Sequence, residues 1–438
     1  MTYTDLPDQG VVFWPVGTGD STTIVISAQL VMQVDLRDMK AADEDDAVVA
    51  AVIDRLAETL PTNDDGDPYL AVFALTHIDL DHCCGFGDLL DSPIVIGELW
   101  ATPRMWRELA DGEELCEDAV RFQQEAERRV AATLTALAEG RAPVSGDRIR
   151  VIGYDDDRDQ HSYSQLPDEY FSTPGQVVST IDRVPVSERF EAFIHAPFRG
   201  DCAGERNETS LAMQIQLQAE DGTTGKILLL GDLSYLTIKK IFDYSEEHDR
   251  SDRLAFDVML SSHHCSKKVM YGSDEAGNEE RKQDLLDQFD THAAPVAYVV
   301  ASSRPFRNKD KPGDNPPHLL AREAYEEITT EPVVCTGEHP TIEDPRPVVF
   351  ALVPGQGLTL VSVDELDEST SDELKAVEMS QGASTGRSLL AALGVTSSVE
   401  HADAVASERP SGADLAQDAV RQARGDDATP PTTIGFGR

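Results

Sequence analysis

The sequence is poor in basic residues. Its 438 residues include 37 lysines and arginines against 80 aspartates and glutamates, which gives a formal net charge of −43 at pH 7. A surface this acidic repels nucleic acid, so a nucleic-acid substrate would need a local positive site or a bound metal. An acidic, lysine-poor surface is also what a high-salt cytoplasm favours, although charge of this kind reports on solubility and not on fold.

Long apolar runs and paired cysteine motifs are also missing. No apolar run approaches the roughly 18–20 residues that a membrane helix needs, and the opening residues MTYTDLPDQG show no basic stretch followed by an apolar segment. None of the six cysteines forms a CxxC pair, so we expect reduced thiols. These absences predict a cytoplasmic protein that makes no contact with a membrane.

The pattern of apolar residues predicts an α/β (α+β) fold. Helical patterns occupy residues 41–60, 104–140 and 317–328, and residues 346–363 read as a terminal hairpin. Clusters of Val, Ile, Thr and aromatic residues predict strands within residues 11–35, 69–77, 93–99, 190–197, 209–218, 226–232, 256–264 and 294–303.

The composition changes near residue 363 and becomes rich in Ser, Ala, Asp, Glu and Gly, with almost no aromatic residues. We therefore predict one domain over residues 1–362, with a partly helical insertion at about 91–190, and a flexible, disordered acidic tail over 363–438. The apolar island SLLAALGV at 388–395 is either a docking helix or a transient helix in a linker. The tail either recruits a partner protein or keeps the chain soluble.

The densest group of metal-binding side chain types lies in THIDLDHCCG, directly after an apolar strand pattern. It contains His77, Asp79, Asp81 and His82. Imidazoles and carboxylates together suit a divalent cation such as zinc, manganese or iron. The other interpretation is an acidic loop with solvent-exposed histidines, since a chain of this charge contains many such loops.

Three further segments place polar residues beside apolar strand patterns. ILLLGDLS ends its apolar run at Asp232, FDVMLSSHHCS delivers His263 and His264, and Asn207 precedes a strand in GERNETSLAMQI. Taken singly, the aspartate is an ordinary turn residue and the histidine pair is one core and one surface residue. Metal ligation is the natural use of paired histidines after a buried strand.

Taken together, the motifs resemble the metallo-β-lactamase fold. VGTGDS, THIDLDHCCG, NETSL, LLLGD and SSHHCS occur in the order found in the branch similar to the metallohydrolase domain of the ComEC DNA-uptake proteins. The resemblance covers about residues 11–90 and 190–275. Cys84 and Cys265 stand where that branch usually has glycine.

This resemblance implies a four-layer αββα sandwich with two divalent metal ions at one edge. His77 and Asp79 would bind the first ion, Asp81 and His82 the second, Asp232 would bridge both, and His263 or its neighbour His264 would complete the second site. The catalytic residues would be Asp81, Asp232 and His264. Residues supporting the ligands would be Asp20, Asp35, Asn207 and His318. Candidates for the missing third ligand of the first ion are His195, Asp201 and Asn207, with His195 favoured as a core histidine.

The implied chemistry is hydrolysis by a hydroxide held between the two cations. Asp79 adds a hard carboxylate ligand, which shifts the metal preference of the site toward manganese or magnesium, and zinc is also possible. We expect a soluble phosphodiesterase or nuclease acting on DNA or RNA. Alternatives are a hydrolase of acyl esters, lactones or thioesters and a non-catalytic, metal-binding regulatory module. Five bases either line a phosphate path or are solvated surface residues: Arg206, Lys267, Lys268, Arg304 and Arg307.

Overall fold

The computed structural model describes residues 6–38, 50–107, 114–154, 161–198, 206–273, 279–311 and 313–362, so the predicted acidic tail and its apolar island lie outside the described residues. The described strands are β1 (Gly10–Phe13), β2 (Thr22–Ser27), β3 (Leu30–Val34), β4 (Tyr69–Ala74), β5 (Val95–Ala101), β6 (Arg148–Ile152), β7 (Phe171–Ser172), β8 (Val177–Val178), β9 (Thr180–Ile181), β10 (Val184–Pro185), β11 (Phe190–Ala196), β12 (Ala212–Gln218), β13 (Thr224–Leu229), β14 (Phe256–Leu260), β15 (Tyr271–Ser273), β16 (Glu279–Arg281), β17 (Ala293–Ala301), β18 (Val334–Cys335), β19 (Val348–Val353) and β20 (Gly357–Leu360). The described helices are α1 (Val52–Thr59), α2 (Leu80–Cys83), α3 (Phe86–Asp91), α4 (Glu117–Ala138), α5 (Tyr235–Glu247), α6 (Ser262–Cys265), α7 (Gln283–His292) and α8 (Leu319–Glu326).

Two large mixed sheets organise these elements. The first has the order β20-β19-β1-β2-β3-β4-β5-β6-β7; it is antiparallel from β20 to β3 and parallel from β3 to β7. The second has the order β18-β17-β14-β13-β12-β11-β8; it is parallel from β18 to β13 and antiparallel from β13 to β8. The predicted α/β class is confirmed.

The main core lies between the two sheets. Phe13 and Val72 of the first sheet belong to the same buried cluster as Ile215 and Val258 of the second. In β12 the buried apolar residues Met213, Ile215 and Leu217 recur at every second position, which is the period of a strand with one face in the core. The two sheets therefore pack face to face and form the inner layers of a sandwich.

Helices cover the outer faces of both sheets. On the second sheet, Phe242 of α5 and Leu286 of α7 share a buried cluster with Met259 of β14. On the first sheet, the ring of Phe86 in α3 lies 5.0 Å from that of Phe73 in β4 and 5.0 Å from that of Phe122 in α4. The layer order is therefore helix, sheet, sheet, helix, as the predicted αββα sandwich requires.

Residues 91–190, predicted as a partly helical insertion, contribute strands to both sheets, and β5 to β7 belong to the first. β5, β6 and β7 extend it in parallel, and α4 packs on its outer face. The α4 helix begins at Glu117 because the Cys116 side chain caps it and two acids occupy its first turn. Buried Arg129 then donates to the carbonyl oxygens of Ile96 and Gly97, which fixes the helix on the sheet.

Most predicted elements before and after this region are confirmed. β4, β5, β11–β14 and β17 follow the predicted strands, and β19 and β20 form the terminal hairpin. The helix predicted over 104–140 is shorter, because Pro103–Trp106 forms a separate 3-10 turn and α4 starts later. Within the part of the chain that is described, no helix has both the length and the hydropathy to cross a bilayer.

Strand ends from both sheets meet at one edge of the sandwich. His77 follows β4 of the first sheet, while Asp232 and His264 follow β13 and β14 of the second. A backbone hydrogen bond from Leu211 to Thr76 joins the sheets at this edge, with an N–O distance of 3.0 Å. Side chains from distant parts of the sequence are thereby brought together on a rigid frame.

Candidate metal centre

Four buried side chains form the centre of the site. Asp20, His82, Asp232 and His264 each offer one ligand atom, and these atoms lie within 4.8 Å of one another. His82 Nε2 lies 3.2 Å from Asp232 Oδ1, and His264 Nδ1 lies 3.3 Å from Asp20 Oδ1. Two carboxylates and two imidazoles converging at this spacing are a donor set for one divalent cation.

A second group of donors adjoins the first. His77 Nε2 lies 3.8 Å from Asp79 Oδ2 and 3.9 Å from Asp232 Oδ2, and the rings of His77 and His82 are 4.0 Å apart. Asp232 therefore turns one oxygen toward His82 and the other toward His77. A carboxylate in this position is suited to bridging two cations.

The hydrogen-bonding state of these side chains tests whether they fit a metal. Buried polar atoms normally have hydrogen-bond partners, because leaving one without a partner costs about 1–3 kcal/mol. Here the atoms that face the centre have none, although several lie near opposite charges. They are Asp20 Oδ1, His77 Nε2, His82 Nε2, Asp232 Oδ1 and His264 Nδ1. The donor set therefore fits divalent cations, and zinc and manganese both suit nitrogen and oxygen ligands.

His82 is oriented by a carboxylate behind it. Its Nδ1 lies 2.8 Å from Asp35 Oδ2, and Asp35 in turn accepts hydrogen bonds from the Thr76 backbone N–H and hydroxyl, both at 2.7 Å. Because the Asp35 carboxylate accepts, Nδ1 carries the hydrogen and donates. The Nε2 of His82 therefore faces Asp232, the arrangement typical of a metal-binding histidine supported by a carboxylate.

His77 is oriented by two hydroxyl groups. Its Nδ1 lies 3.1 Å from Thr76 Oγ1 and 3.3 Å from Ser210 Oγ. Thr76 donates its hydroxyl hydrogen to Asp35, and Ser210 donates its own to the Asn207 carbonyl oxygen at 2.7 Å. Both hydroxyls are therefore acceptors toward His77, so Nδ1 carries the hydrogen and the Nε2 lone pair faces the carboxylates.

The glycine before Asp232 permits this packing. Gly231 has a φ of +54°, and a Cβ atom built on it would lie 2.7 Å from the Ser210 Cβ. A side chain at this position would meet both a disfavoured backbone conformation and a collision. The residue thus allows the Ser210 hydroxyl to reach both His77 and the Asp232 backbone N–H.

Burial and neighbouring charges shift the pKa values of His77, His82 and His264 in different directions. Burial lowers the pKa of His77 to about 3. Burial also opposes charge on the other two, but the carboxylates of Asp232 and Asp35 outweigh it and raise the pKa of His82 well above its usual range. Asp232 and Asp20 likewise raise the pKa of His264 to about 10. Because metal ligands must give up their protons, cations that bind there compete with protons for His82 and His264.

A strained turn delivers His264 to the centre. His263, His264 and Cys265 all have left-handed backbone conformations, with φ values of 53°, 54° and 62°. Such conformations are costly without glycine and cluster at functional sites. Cys265 thus adopts the geometry that glycine would supply at the position where the resembling branch carries one, while Cys84 has an ordinary φ of −59°.

The two members of the histidine pair differ in position. His264 is buried and belongs to the four-residue group, together with Asp20, which was predicted only as a supporting residue. His263 is less buried, and its Nε2 lies 3.9 Å from Asp232 Oδ2. The distribution of these residues between the two metal ions stays a prediction.

Two carboxylates, those of Asp79 and Asp81, lie on the solvent-exposed side of the centre. Asp81 Oδ2 lies 3.1 Å from His264 Nε2 and its side chain is 37% exposed. Burial raises its pKa, but the hydrogen bond to His264 and the charge of His82 bring the pKa well below its usual range. Asp79 Oδ1 lies 3.1 Å from an Arg206 guanidinium nitrogen. Burial raises the pKa of Asp79 despite that neighbouring charge.

Other predicted residues have separate roles. His318 donates its backbone N–H to the Cys265 carbonyl oxygen at 3.1 Å and accepts from the Lys267 N–H through Nδ1, so it supports the strained turn. His195 Nε2 donates to the Arg253 carbonyl oxygen at 2.9 Å as a buried core histidine. Asp201 lies outside the described residues.

Thr76 and Ser210 were not among the predicted supporting residues. Both orient His77, and Thr76 also fixes Asp35. Their sequence signal is weak: Thr76 directly precedes the first histidine, and Ser210 lies within the NETSL motif. Their importance follows from contacts between strand ends that the sequence alone does not display.

Comparisons with known proteins return distant structural neighbours. No family model matches the sequence, and no curated protein matches it. The chain is similar to the metallo-β-lactamase fold protein YhfI from Bacillus subtilis, with 11% identity, a TM-score of 0.32, and 75% of this chain and 96% of that chain covered. It is also similar to Zn(2+)-bound PqqB from Methylobacterium extorquens, with 12% identity, a TM-score of 0.27, and coverages of 56% and 59%. A third is the metallo-β-lactamase MIM-1 from Novosphingobium pentaromativorans, with 13% identity, a TM-score of 0.27, and coverages of 67% and 88%.

At these identities the fold follows from the chain's own layers. Two mixed sheets lie between helical layers, and the loops carrying the His and Asp motifs meet at one edge. These layers form the αββα sandwich that the resemblance to the metallo-β-lactamase fold predicted. Membership of the ComEC-like branch stays a prediction.

Proposed function

We propose that the protein is a metal-dependent hydrolase whose substrates are phosphodiesters, such as DNA or RNA. The observation that supports this most directly is the buried donor set. Asp232 Oδ1 lies 3.2 Å from His82 Nε2, while its Oδ2 lies 3.9 Å from His77 Nε2 and 3.7 Å from His264 Nε2. The ligand atoms that face the centre have no hydrogen-bond partners. The arrangement offers sites for two divalent cations that share one carboxylate.

Divalent cations, when bound, supply a water that is deprotonated near neutral pH and positive charge that polarises the bond to be cleaved. The chain's own residues hold and orient this chemistry. Asp35 fixes the His82 ring and Ser210 fixes the His77 ring, so both Nε2 atoms are aimed before any ligand arrives. Asp81, which is exposed and hydrogen-bonded to His264, is the carboxylate that would accept a proton from a water held at the centre.

The ligand types favour phosphodiesters over acyl substrates. Four carboxylates, from Asp20, Asp79, Asp81 and Asp232, accompany the histidines, and a carboxylate-rich set favours harder cations such as manganese. Bound cations also supply a local positive field in a chain with a net charge of −43. An anionic substrate can therefore approach the centre although the rest of the surface repels it.

A cysteine-based structural or redox zinc site has less support. Burial raises the pKa of the Cys84 thiol to about 11, and burial also raises the pKa of Cys265. Both thiols are protonated near neutral pH, whereas a thiol must be deprotonated to bind metal. Hydrolysis of acyl esters, lactones or thioesters on the same centre is the competing activity, and substrate comparison separates the two.

The test is hydrolysis of bis-(p-nitrophenyl) phosphate and of single- and double-stranded DNA with manganese, magnesium or zinc. Asp81→Ala is expected to lose activity by about a hundredfold or more, in line with removal of a general base. Asp64→Ala, which changes an exposed loop carboxylate, is the matched control and should behave as wild type. Hydrolysis of p-nitrophenyl butyrate without any phosphodiester cleavage would contradict the proposal and favour an acyl substrate.

A further inference from the structure

Arg206 contacts the solvent-exposed side of the centre. The Arg206 guanidinium lies 3.1 Å from Asp79 Oδ1, and the two side chains are 27% and 24% exposed. The side chain of His77 is 0% exposed and that of Asp232 is 4% exposed. The Arg206–Asp79 pair therefore lies where a substrate would enter from solvent.

The backbone of Arg206 is fixed relative to the centre. Thr209 donates to the Arg206 carbonyl oxygen through its backbone N–H at 3.0 Å and through its hydroxyl at 2.6 Å. The same short turn continues to Ser210, whose hydroxyl contacts His77. The guanidinium and the His77 ring are thus held by one turn, so the distance between cation and centre is set by the fold.

Two of the other bases considered for a phosphate path pair with carboxylates outside the metal loop. Lys267 pairs with Glu279 at 2.5 Å and Arg307 pairs with Asp314 at 2.9 Å. Arg206, in contrast, contacts Asp79, a carboxylate of the metal loop. In a strongly acidic chain, a positive charge at this position selects for anionic groups.

We propose that Arg206 is the residue that recognises the anionic group of the substrate, binding the non-bridging oxygens of a phosphodiester. This rests on the proposed function. Asp79 is a predicted ligand of the first cation, and a cation held there would offset the charge of the carboxylate that the guanidinium contacts. A planar guanidinium can contact two phosphate oxygens at once, a geometry that arginine provides and lysine does not.

The experiment compares wild type, Arg206→Gln, Arg206→Lys and the surface control Lys267→Gln, all loaded with manganese. We expect Arg206→Gln to raise KM for anionic bis-(p-nitrophenyl) phosphate about tenfold or more with little change in kcat. The reason is that the variant loses the charge-assisted hydrogen bonds from the guanidinium to the phosphate oxygens. Kinetics with the neutral triester diethyl p-nitrophenyl phosphate should not change. Arg206→Lys should fall between wild type and Arg206→Gln, and Lys267→Gln should match wild type.

A binding measurement without turnover accompanies the kinetics. Calorimetry should show that inorganic phosphate binds the manganese-loaded Arg206→Gln protein about tenfold more weakly than it binds wild type, at equal manganese content. Equal losses with charged and neutral substrates would overturn the inference, as would unchanged phosphate affinity or a loss of bound manganese alone. Arg206 would then serve only to neutralise Asp79. If wild type cleaves no phosphodiester, the proposed function fails, and the phosphate measurement still decides the role of Arg206.

Discussion

Asp35 Oδ2 accepts a hydrogen bond from His82 Nδ1 at 2.8 Å, and this contact aims the opposite nitrogen of the ring at the metal centre. Asp35 has a φ of 55° and is held by two hydrogen bonds from Thr76. A carboxylate in so constrained a position acts on the metal through the histidine that it orients. Its removal should therefore affect metal binding more than folding.

Asp35→Asn is expected to weaken metal affinity by about 10–100-fold, because an amide oxygen is a poorer acceptor for His82 Nδ1–H than a carboxylate. Competition against a chromophoric chelator measures the effect. Asp257→Asn is the matched control, since Asp257 also accepts a backbone N–H but lies at the other end of β14. Equal affinities for wild type and Asp35→Asn would show that His82 needs no carboxylate to bind metal.

Metal removal should lower the stability of the protein. The centre contains several buried atoms without hydrogen-bond partners, so cations that bind the folded state alone stabilise it, by about 2.7 kcal/mol when free metal is at a hundred times Kd. Urea unfolding with added zinc or manganese should therefore have a higher midpoint than unfolding with EDTA. In His82→Ala the gap between the two midpoints should shrink, and a gap of wild-type size would place metal binding elsewhere.

His195 should make stability depend on pH. Burial lowers its pKa to about 4 in the folded protein, whereas an unfolded histidine titrates near 6.5. Folding favours the neutral form of His195. Its contribution to the free energy of unfolding is therefore fully present above pH 6.5 and is lost as the pH falls toward 4. The size of the loss is about 3 kcal/mol.

His195→Gln tests this dependence, because the amide can still donate to the Arg253 carbonyl oxygen but cannot titrate. Free energies of unfolding measured in urea between pH 7.5 and 4.5 should fall less steeply in the variant than in wild type. Parallel curves for the two proteins would assign the acid sensitivity to other groups.

Cys116 should be the most reactive of the described thiols. A hydrogen bond from the Cys83 thiol, 3.6 Å away, lowers the pKa of Cys116 to about 6, while burial raises the pKa values of Cys84 and Cys335 to about 11. Iodoacetamide at pH 7 should therefore modify Cys116 first. Peptide mass spectrometry over time follows the reaction, and Cys83→Ala should slow it about tenfold. Faster modification of Cys84 would contradict this account.

The sequence predicted much of the centre because the relevant patterns are local. An apolar strand followed at once by His77 or Asp232 is visible in a few residues, and the order of such motifs indicated the sandwich. The β6 strand, RIRVI, is short and interrupted by arginines. The extension of the first sheet through residues 91–190 was therefore read as an insertion.

Other features depend on contacts that no short segment contains. The choice between His263 and His264 follows from three left-handed residues in succession, and a cysteine at position 265 gives no indication of that geometry. The inward position of Asp20 arises because the loop between β1 and β2 reaches His264, a residue of the other sheet. Such pairings are set by how the sheets pack and not by the residues adjacent in sequence.

The order in which the chain leaves the ribosome constrains when this protein can acquire its ions. Donors at the centre come from positions as far apart as Asp20 and His264, so a nascent chain that has not yet displayed the later histidine holds an incomplete site. The β1 strand gains its second neighbour later still, when Ala351 of β19 pairs with Gly10. Until then the β1 edge is open, and an open edge can pair with other chains. A complete ion site therefore requires that the chain has been made at least as far as His264, and translation that stops before β19 should yield a product prone to aggregation.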